Sequence, residues 1–165
     1  MHNNSYICPL KLTPETNQGM IRLTKIFNFE MAHALYGYDG PCKNIHGHSY
    51  ALEVTISGEP INDPSNPKHG MVMDFSDLKA IVKEQIVDRL DHALLLNGNS
   101  PHRDIPELDT NFEKVVFVDY QPTCENMLSD FVKRIQGLLP KNVKLATLKL
   151  KETPNSYAEW QAIDQ

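Results

Sequence analysis

Two histidines separated by one glycine form the strongest chemical motif in this 165-residue chain. His46 and His48 flank Gly47 in residues 46–57, where apolar and polar residues alternate. Alternation with a period of two predicts a half-buried strand, in which residues i and i+2 point to one face about 6.6 Å apart. Two imidazoles in that arrangement are able to bind one metal ion.

A third histidine, His33, ends a second alternating segment, residues 21–33, on the parity of its apolar residues. The end of one strand lies beside the start of the next in a hairpin, so His33 is a candidate third ligand. Three histidines with an open fourth position form the ligand set of catalytic zinc sites. The competing interpretation, core histidines with satisfied hydrogen bonds, suits a lone histidine better than this combination.

Cys42 lies four residues before His46, in a predicted loop that follows a Gly-Pro pair. A thiol beside a metal dication is favoured in its thiolate form, which acts as a base or a nucleophile. The alternative is a buried, inert thiol, the usual state of a free cysteine. The polar neighbours of Cys42 favour the chemical role.

Three further candidates stand at the ends of predicted elements. Asp91 and His92 follow a predicted helix, and they suit either a proton relay, in which the carboxylate orients the imidazole, or a helix cap. Glu152 ends a predicted strand, where it either binds a cationic or amide edge of a ligand or is simply solvated. The residues alone do not decide between these alternatives.

Composition and charge exclude several classes of function. The net charge of −5 and the pI near 5.8 disfavour a nucleic-acid surface, which normally has a basic face. No apolar run approaches the roughly 18 residues of a membrane span, and the N-terminal residues lack the pattern of a secretory signal. Three cysteines are too few for a disulfide framework and suit a reducing compartment, so we expect a cytoplasmic protein.

The remaining periodicity predicts an α+β fold. Residues 74–90 and 123–139 have apolar residues at helical spacing, and residues 143–152 and 157–163 form two further strands. The order β-β-α-α-β-β predicts a four-stranded antiparallel sheet with two helices on one face. We expect a flexible tail at residues 1–18, loops at 58–70 and 97–110, and a single domain over 19–165.

The spacing of Gly40, His46, His48 and Glu53 is also similar to the first metal motif of cupins, which are all-β barrels. Two observations count against a cupin-like metalloenzyme. Glu53 has the opposite strand parity from both histidines, and more than 25 residues have the pattern of amphipathic helix. This alternative therefore ranks second.

Several ordered motifs between residues 20 and 160 resemble the 6-pyruvoyltetrahydropterin synthase superfamily. They are Phe29-Glu30-Met31-Ala32-His33, Cys42-x3-His46-Gly47-His48, Met73-Asp74-Phe75-Ser76, Leu90-Asp91-His92, Pro122-Thr123-Cys124-Glu125-Asn126 and Lys151-Glu152-Thr153. Pyruvoyl-forming members place five residues between the cysteine and HGH. The three residues found here are similar to the branch that forms 6-carboxytetrahydropterin for queuosine and 7-deazaguanine biosynthesis.

The resemblance implies a tunnelling fold, in which four-stranded antiparallel sheets pair around an oligomeric barrel. A trimer or a homo-hexamer built as a dimer of trimers is implied, with active sites between subunits. The resemblance implies that His33, His46 and His48 bind zinc and that Cys42 accepts a proton. It implies that Asp91 and His92 from a neighbouring subunit form a proton relay. Glu152 would bind the pterin, with Thr123, Cys124 and Glu125 near the ring. The family usually has a small or hydroxyl residue where Cys124 stands.

The implied activity is a zinc-dependent lyase reaction on 7,8-dihydroneopterin triphosphate. Its products would be 6-carboxy-5,6,7,8-tetrahydropterin, acetaldehyde and triphosphate. The alternatives within the resemblance are 6-pyruvoyltetrahydropterin synthase activity and a non-catalytic protein that binds zinc and pterin. Lys43, Lys68 and Arg103 are candidates for holding the triphosphate by loop position alone.

Overall fold

A six-stranded sheet with two main helices on one face forms the protein. The structure, a computed structural model, describes residues 19–165, so the predicted tail at residues 1–18 lies outside the described residues. The sheet order is β4-β3-β1-β2-β5-β6. Its strands are β1 (Ile21–His33), β2 (His46–Gly58), β3 (Ala93–Asn97), β4 (Val115–Val118), β5 (Val143–Thr153) and β6 (Ser156–Gln161).

Four of these strands are the predicted antiparallel sheet, since β1 pairs with β2, β2 with β5, and β5 with β6 in antiparallel fashion. The prediction of four strands in total was wrong. Strands β3 and β4 extend the sheet beside β1, and both pairings are parallel. Their sequences, ALLLN and VVFV, are short apolar runs without alternation, so the period-two pattern did not mark them as strands.

The helical segments begin where the sequence provides caps. Asp74 accepts a hydrogen bond from the Ser76 backbone N–H at 2.7 Å and caps α1 (Phe75–Val82). A π-helical stretch, Lys83–Val87, continues α1 into α2 (Asp88–Leu90). The end of the predicted loop 97–110 overlaps α3 (Leu108–Asn111). Thr123 caps α4 (Cys124–Gln136), the longest helix of the described residues.

The core lies between the helices and one face of the sheet. Alternate side chains of β1 and β2 are buried there, among them Phe27, Phe29, Leu52 and Val54, together with the apolar faces of α1 and α4. In β5, an unpaired residue at Ala146 breaks the pairing with β2, so the buried positions change from odd to even numbers. Glu152 thereby falls on the core-facing side of the sheet.

The opposite face of the sheet is polar over the antiparallel strands, as the alternation predicts, whereas over β3 and β4 it is covered by a second buried apolar cluster that includes Leu94, Leu96 and Leu108. Thr24 and Thr55 hydrogen-bond at 2.8 Å, and Lys149 forms an ion pair with Glu159 at 2.9 Å on this face. Over residues 19–165, no helix has the length and apolar character needed to cross a membrane.

Candidate active site with a histidine metal centre

The three predicted histidines meet at one end of the β1–β2 hairpin. His33 pairs directly with His46 across the two strands, and His48 follows on the same face two residues later. The ring of His33 lies 4.5 Å from that of His46 and 5.3 Å from that of His48. One ligand nitrogen from each ring lies within 4.8 Å of the other two. The three histidines can hold one metal ion.

Backbone carbonyls orient two of the rings. The Nδ1 of His33 lies 2.7 Å from the Pro122 carbonyl, and the Nδ1 of His46 lies 2.9 Å from the Asn44 carbonyl. A carbonyl only accepts, so each Nδ1 carries the proton and each Nε2 keeps a free lone pair. Such outer contacts are typical of metal-binding histidines. Burial lowers the pKa of His33, which favours the neutral form that ligates metal.

Cys42 lies in a single helical turn, Pro41–Lys43, before β2. Its carbonyl accepts a hydrogen bond at 2.9 Å from the backbone N–H of Leu35, two residues after His33. The loop therefore returns to the end of β1. The thiol is half-buried, and a negative charge on it would add to the causes that raise the pKa of Tyr50. The approach of the thiol to the three histidines stays a prediction.

Tyr50 connects the metal centre to Glu152. Its hydroxyl lies 3.5 Å from the Nε2 of His33 and donates a hydrogen bond to Glu152 Oε1 at 3.3 Å. Burial and the charge of Glu152 raise the pKa of Tyr50, so the phenol remains protonated. Glu152 itself is half-buried, within reach of the charges of His33 and Cys124. The histidines and this carboxylate thus share one site.

The N-terminal end of α4 closes the site. Pro122, whose carbonyl orients His33, is followed by the cap residue Thr123. Burial raises the pKa of the Cys124 thiol to about 12, and this thiol donates to the Leu150 carbonyl at 3.3 Å. Cys124 is therefore a protonated, structural thiol. Glu125 is exposed in the first turn of the helix.

Asp91 and His92 form a dyad on the other side of the sheet. Asp91 Oδ1 accepts from the backbone N–H of Glu30 at 2.9 Å and lies 3.1 Å from His92 Nδ1. Glu30 alternates with the buried residues of β1, so it belongs to the polar face, and His92 lines an open cleft of about 340 Å³ with Glu30, His48 and Ser49. Among the described residues, neither Asp91 nor His92 has a hydrogen bond or ion pair with Cys42.

Two of the three candidate triphosphate-binding residues are engaged elsewhere. Lys68 forms an ion pair with Asp77, and the guanidinium of Arg103 lies over the ring of Phe117 at 4.5 Å. Lys43 is exposed and lies next to Cys42. Of these candidates, Lys43 therefore stays a prediction by its position in the loop before β2.

A family model described as 6-pyruvoyl tetrahydropterin synthase matches residues 22–162. The chain belongs to the 6-pyruvoyl tetrahydropterin synthase family. The chain is 38% identical, over 86% of its length, to a Haemophilus influenzae protein named 6-carboxy-5,6,7,8-tetrahydropterin synthase and covers 99% of it. A protein of the same name from Aquifex aeolicus is 31% identical, with 84% and 96% of the two chains covered.

Two solved structures show the same fold. The 6-pyruvoyl tetrahydropterin synthase of Caenorhabditis elegans gives a TM-score of 0.63 at 22% identity, covering 88% of this chain and 97% of that one. An uncharacterised Wolinella succinogenes protein gives 0.70 at 20% identity, covering 87% and 98%. The cupin alternative is wrong for a member of this family, and Glu53 lies on the polar face in an ion pair with Lys151.

The sequence analysis missed two contributors to the site. Tyr50 was treated only as one residue of the alternating segment 46–57. The Pro122 contact is made by a backbone carbonyl, which no side chain in the sequence indicates. Tyr50 continues the alternation of His46 and His48, so a search for polar atoms along that face identifies its hydroxyl. The Pro122 contact joins residues 89 positions apart and is visible only in the fold.

Proposed function

We propose that the protein converts 7,8-dihydroneopterin triphosphate and water into 6-carboxy-5,6,7,8-tetrahydropterin, acetaldehyde and triphosphate. The observation that carries the proposal is the group of three histidines, which Tyr50 joins to Glu152 at one end of the sheet. The Cys42 loop is hydrogen-bonded to Leu35, two residues after His33. The relatives named 6-carboxy-5,6,7,8-tetrahydropterin synthase support it, since they match over nearly their full lengths.

Zinc is the metal that this ligand set suits best. Three imidazoles, two of which have carbonyl partners on Nδ1, match the protein ligands of a catalytic zinc site, which keeps one position open. His33 and His46 would hold the ion through their Nε2 atoms, together with His48. When bound, zinc would supply Lewis-acid polarisation of the substrate's side-chain oxygens.

Glu152 would bind the pterin ring. A carboxylate accepts two hydrogen bonds side by side, which suits the 2-amino group and N3–H edge of a pterin. The neutral Tyr50 hydroxyl holds Oε1 of Glu152 and leaves acceptor capacity on both oxygens. Thr123 and Glu125 border the same region, whereas the Cys124 thiol is occupied by Leu150, so any Cys124 contact with the ring would come from its backbone.

Cys42 would be the base that removes a proton from a side-chain carbon of the substrate. Its loop returns to His33, so the thiolate would face the same substrate carbons that the pterin anchor positions. Proton removal by a positioned side chain typically contributes about 10²–10⁴-fold in rate. Proton transfer on the opposite side of the substrate would fall to His92, oriented by Asp91.

Because Asp91 and His92 lie on the polar sheet face, we propose that a neighbouring subunit supplies them. This requires a homo-oligomer, either a trimer or a hexamer of two trimers. The polar face would then line the interior of the assembly. We expect the assembled enzyme to work in the cytoplasm on a small pterin substrate.

The test is product identification by mass spectrometry from 7,8-dihydroneopterin triphosphate with the zinc-loaded protein. The 6-carboxy product with equimolar acetaldehyde is expected. The 6-pyruvoyl compound as main product would identify the protein as a 6-pyruvoyltetrahydropterin synthase. Zinc and pterin binding without turnover would identify a non-catalytic homologue.

A further inference from the structure

Lys114, the residue directly before β4, holds the end of the helical segment that carries Asp91. Its Nζ donates to the Asp91 carbonyl at 2.6 Å and to the Asp88 carbonyl at 2.9 Å. The last carbonyls of a helix lack partners within it, and a cation is favoured at that end of the helix. The ammonium group of Lys114 therefore caps the C-terminal end of α2.

The residue after this cap, His92, has a left-handed backbone with φ of 60°. This conformation is costly for a residue with a Cβ and persists only where the surroundings impose it. Lys114 acts on both sides of His92, because the main-chain carbonyl of Lys114 also accepts a hydrogen bond from the Leu94 N–H at 2.9 Å. On the other flank, the His92 N–H donates to the Glu30 carbonyl at 2.6 Å.

The side chain of His92 has little else to direct it. Its side chain is 77% exposed, and its described polar contact is the one to Asp91 Oδ1. The backbone geometry at Asp91–His92 therefore sets the direction of the imidazole. Lys114, directly before β4, fixes that geometry through its side-chain ammonium group and its main-chain carbonyl.

We propose that Lys114 is a positioning residue that aims the His92 imidazole by holding the left-handed turn between α2 and β3. The assignment rests on the proposed relay role of His92. It gives the parallel strands β3 and β4 a function in the site, because they deliver Lys114 to the helix end. Lys114 acts through His92 and need not touch the substrate.

A double-mutant cycle tests this assignment. In zinc-loaded protein, Lys114→Met removes the donors while keeping most of the side-chain length, and kcat should fall about ten- to hundredfold with KM within about twofold. In the His92→Ala background the same change should cost nothing further, since the two residues act as a unit. Lys114→Arg should restore most of kcat, and Lys141→Met, at an exposed lysine, controls for lost charge.

An independent readout is hydrogen exchange of the zinc-loaded protein. Lys114→Met should speed exchange in the peptide that contains His92 and Leu94, while the peptides of α4 stay unchanged. Faster exchange in that peptide, together with a fully active His92→Ala variant, would support the positioning role of Lys114. The same result would overturn the proposed relay role of His92. Unchanged exchange would overturn the proposal.

An equal loss of kcat from Lys114→Met in both backgrounds would also overturn it, in favour of direct substrate contact. Such contact is sterically open to Lys114, because it lines a cleft of about 690 Å³ with His92 and Phe112. A rise in KM in both backgrounds would lead to the same conclusion. The cycle therefore separates positioning from binding.

Discussion

The hydroxyl of Tyr50 donates to Glu152 at 3.3 Å, from a side chain that is 1% exposed. The Tyr50 ring is stacked on Phe29 with 5.2 Å between centroids, so the phenol is held by packing as well as by its hydroxyl. Burial and Glu152 raise the pKa of Tyr50 above the ordinary value, so the phenol remains a donor to Glu152 at neutral pH. Glu152, the proposed pterin anchor, is thus supported by a residue outside its own strand.

Tyr50→Phe should weaken pterin binding and leave the fold intact. The ring keeps its packing, but Glu152 loses a charge-assisted hydrogen bond, and we expect about a tenfold loss of affinity for the 6-carboxy product. Titration of the pterin fluorescence measures this. Tyr157→Phe, at a tyrosine that is 57% exposed on β6, is the matched control. Unchanged affinity in Tyr50→Phe would contradict the support role.

The metal centre predicts one zinc per chain. His46→Ala or His48→Ala should remove most of the metal, because two imidazoles bind zinc far less tightly than three. Elemental analysis after dialysis measures the content. His69→Ala, at an exposed loop histidine, should keep full occupancy. Zinc retained in both strand variants would show that the ligands are elsewhere.

Cys42→Ala should keep zinc and lose activity. The thiol contributes no side-chain hydrogen bond to the described fold, and loss of a general base costs about 10²–10⁴-fold in kcat. Steady-state kinetics measure this, with metal content and melting temperature as controls. Near wild-type turnover would move the base to another group.

Alkylation distinguishes the two cysteines of the described region. At pH 8, Cys124 remains a thiol because burial raises its pKa to about 12, four units above that pH, so about one molecule in 10⁴ carries the thiolate. Iodoacetamide should therefore label Cys42 first, and pterin should protect it. Peptide mass spectrometry locates the adduct. Faster labelling of Cys124 would refute the assignment of the two thiols.

The proposed shared site requires assembly, because neither Asp91 nor His92 contacts Cys42 within the described residues of one chain. Sedimentation velocity at micromolar concentration should show a species several times heavier than the 18.8 kDa chain. Mixing inactive Cys42→Ala and His92→Ala subunits after mild dissociation should restore part of the activity. A stable, active monomer would exclude a shared site.

The face of β1 and β2 that carries the three histidines was well predicted from the sequence, because strand periodicity is a local signal. The β1 bounds and the start of β2 at His46 agree with the structure, and so does the Thr123 cap. Prediction failed where contacts are distant or the pattern is short. Strands β3 and β4 are apolar runs of four or five residues, and the Tyr50–Glu152 contact joins residues 102 positions apart.

The extra residue at Ala146 shifts the buried positions of β5 from odd to even numbers. Leu145 and Thr147 pair with consecutive residues of β2, so Ala146 lies outside the regular alternation. Removing Ala146 would therefore keep Glu152 on its present face of the sheet. Removing one residue between Thr147 and Lys151, with the pairing before it kept, would turn Glu152 to the polar face. The proposed pterin anchor thus depends on the number of residues after this bulge as well as on the identity of residue 152.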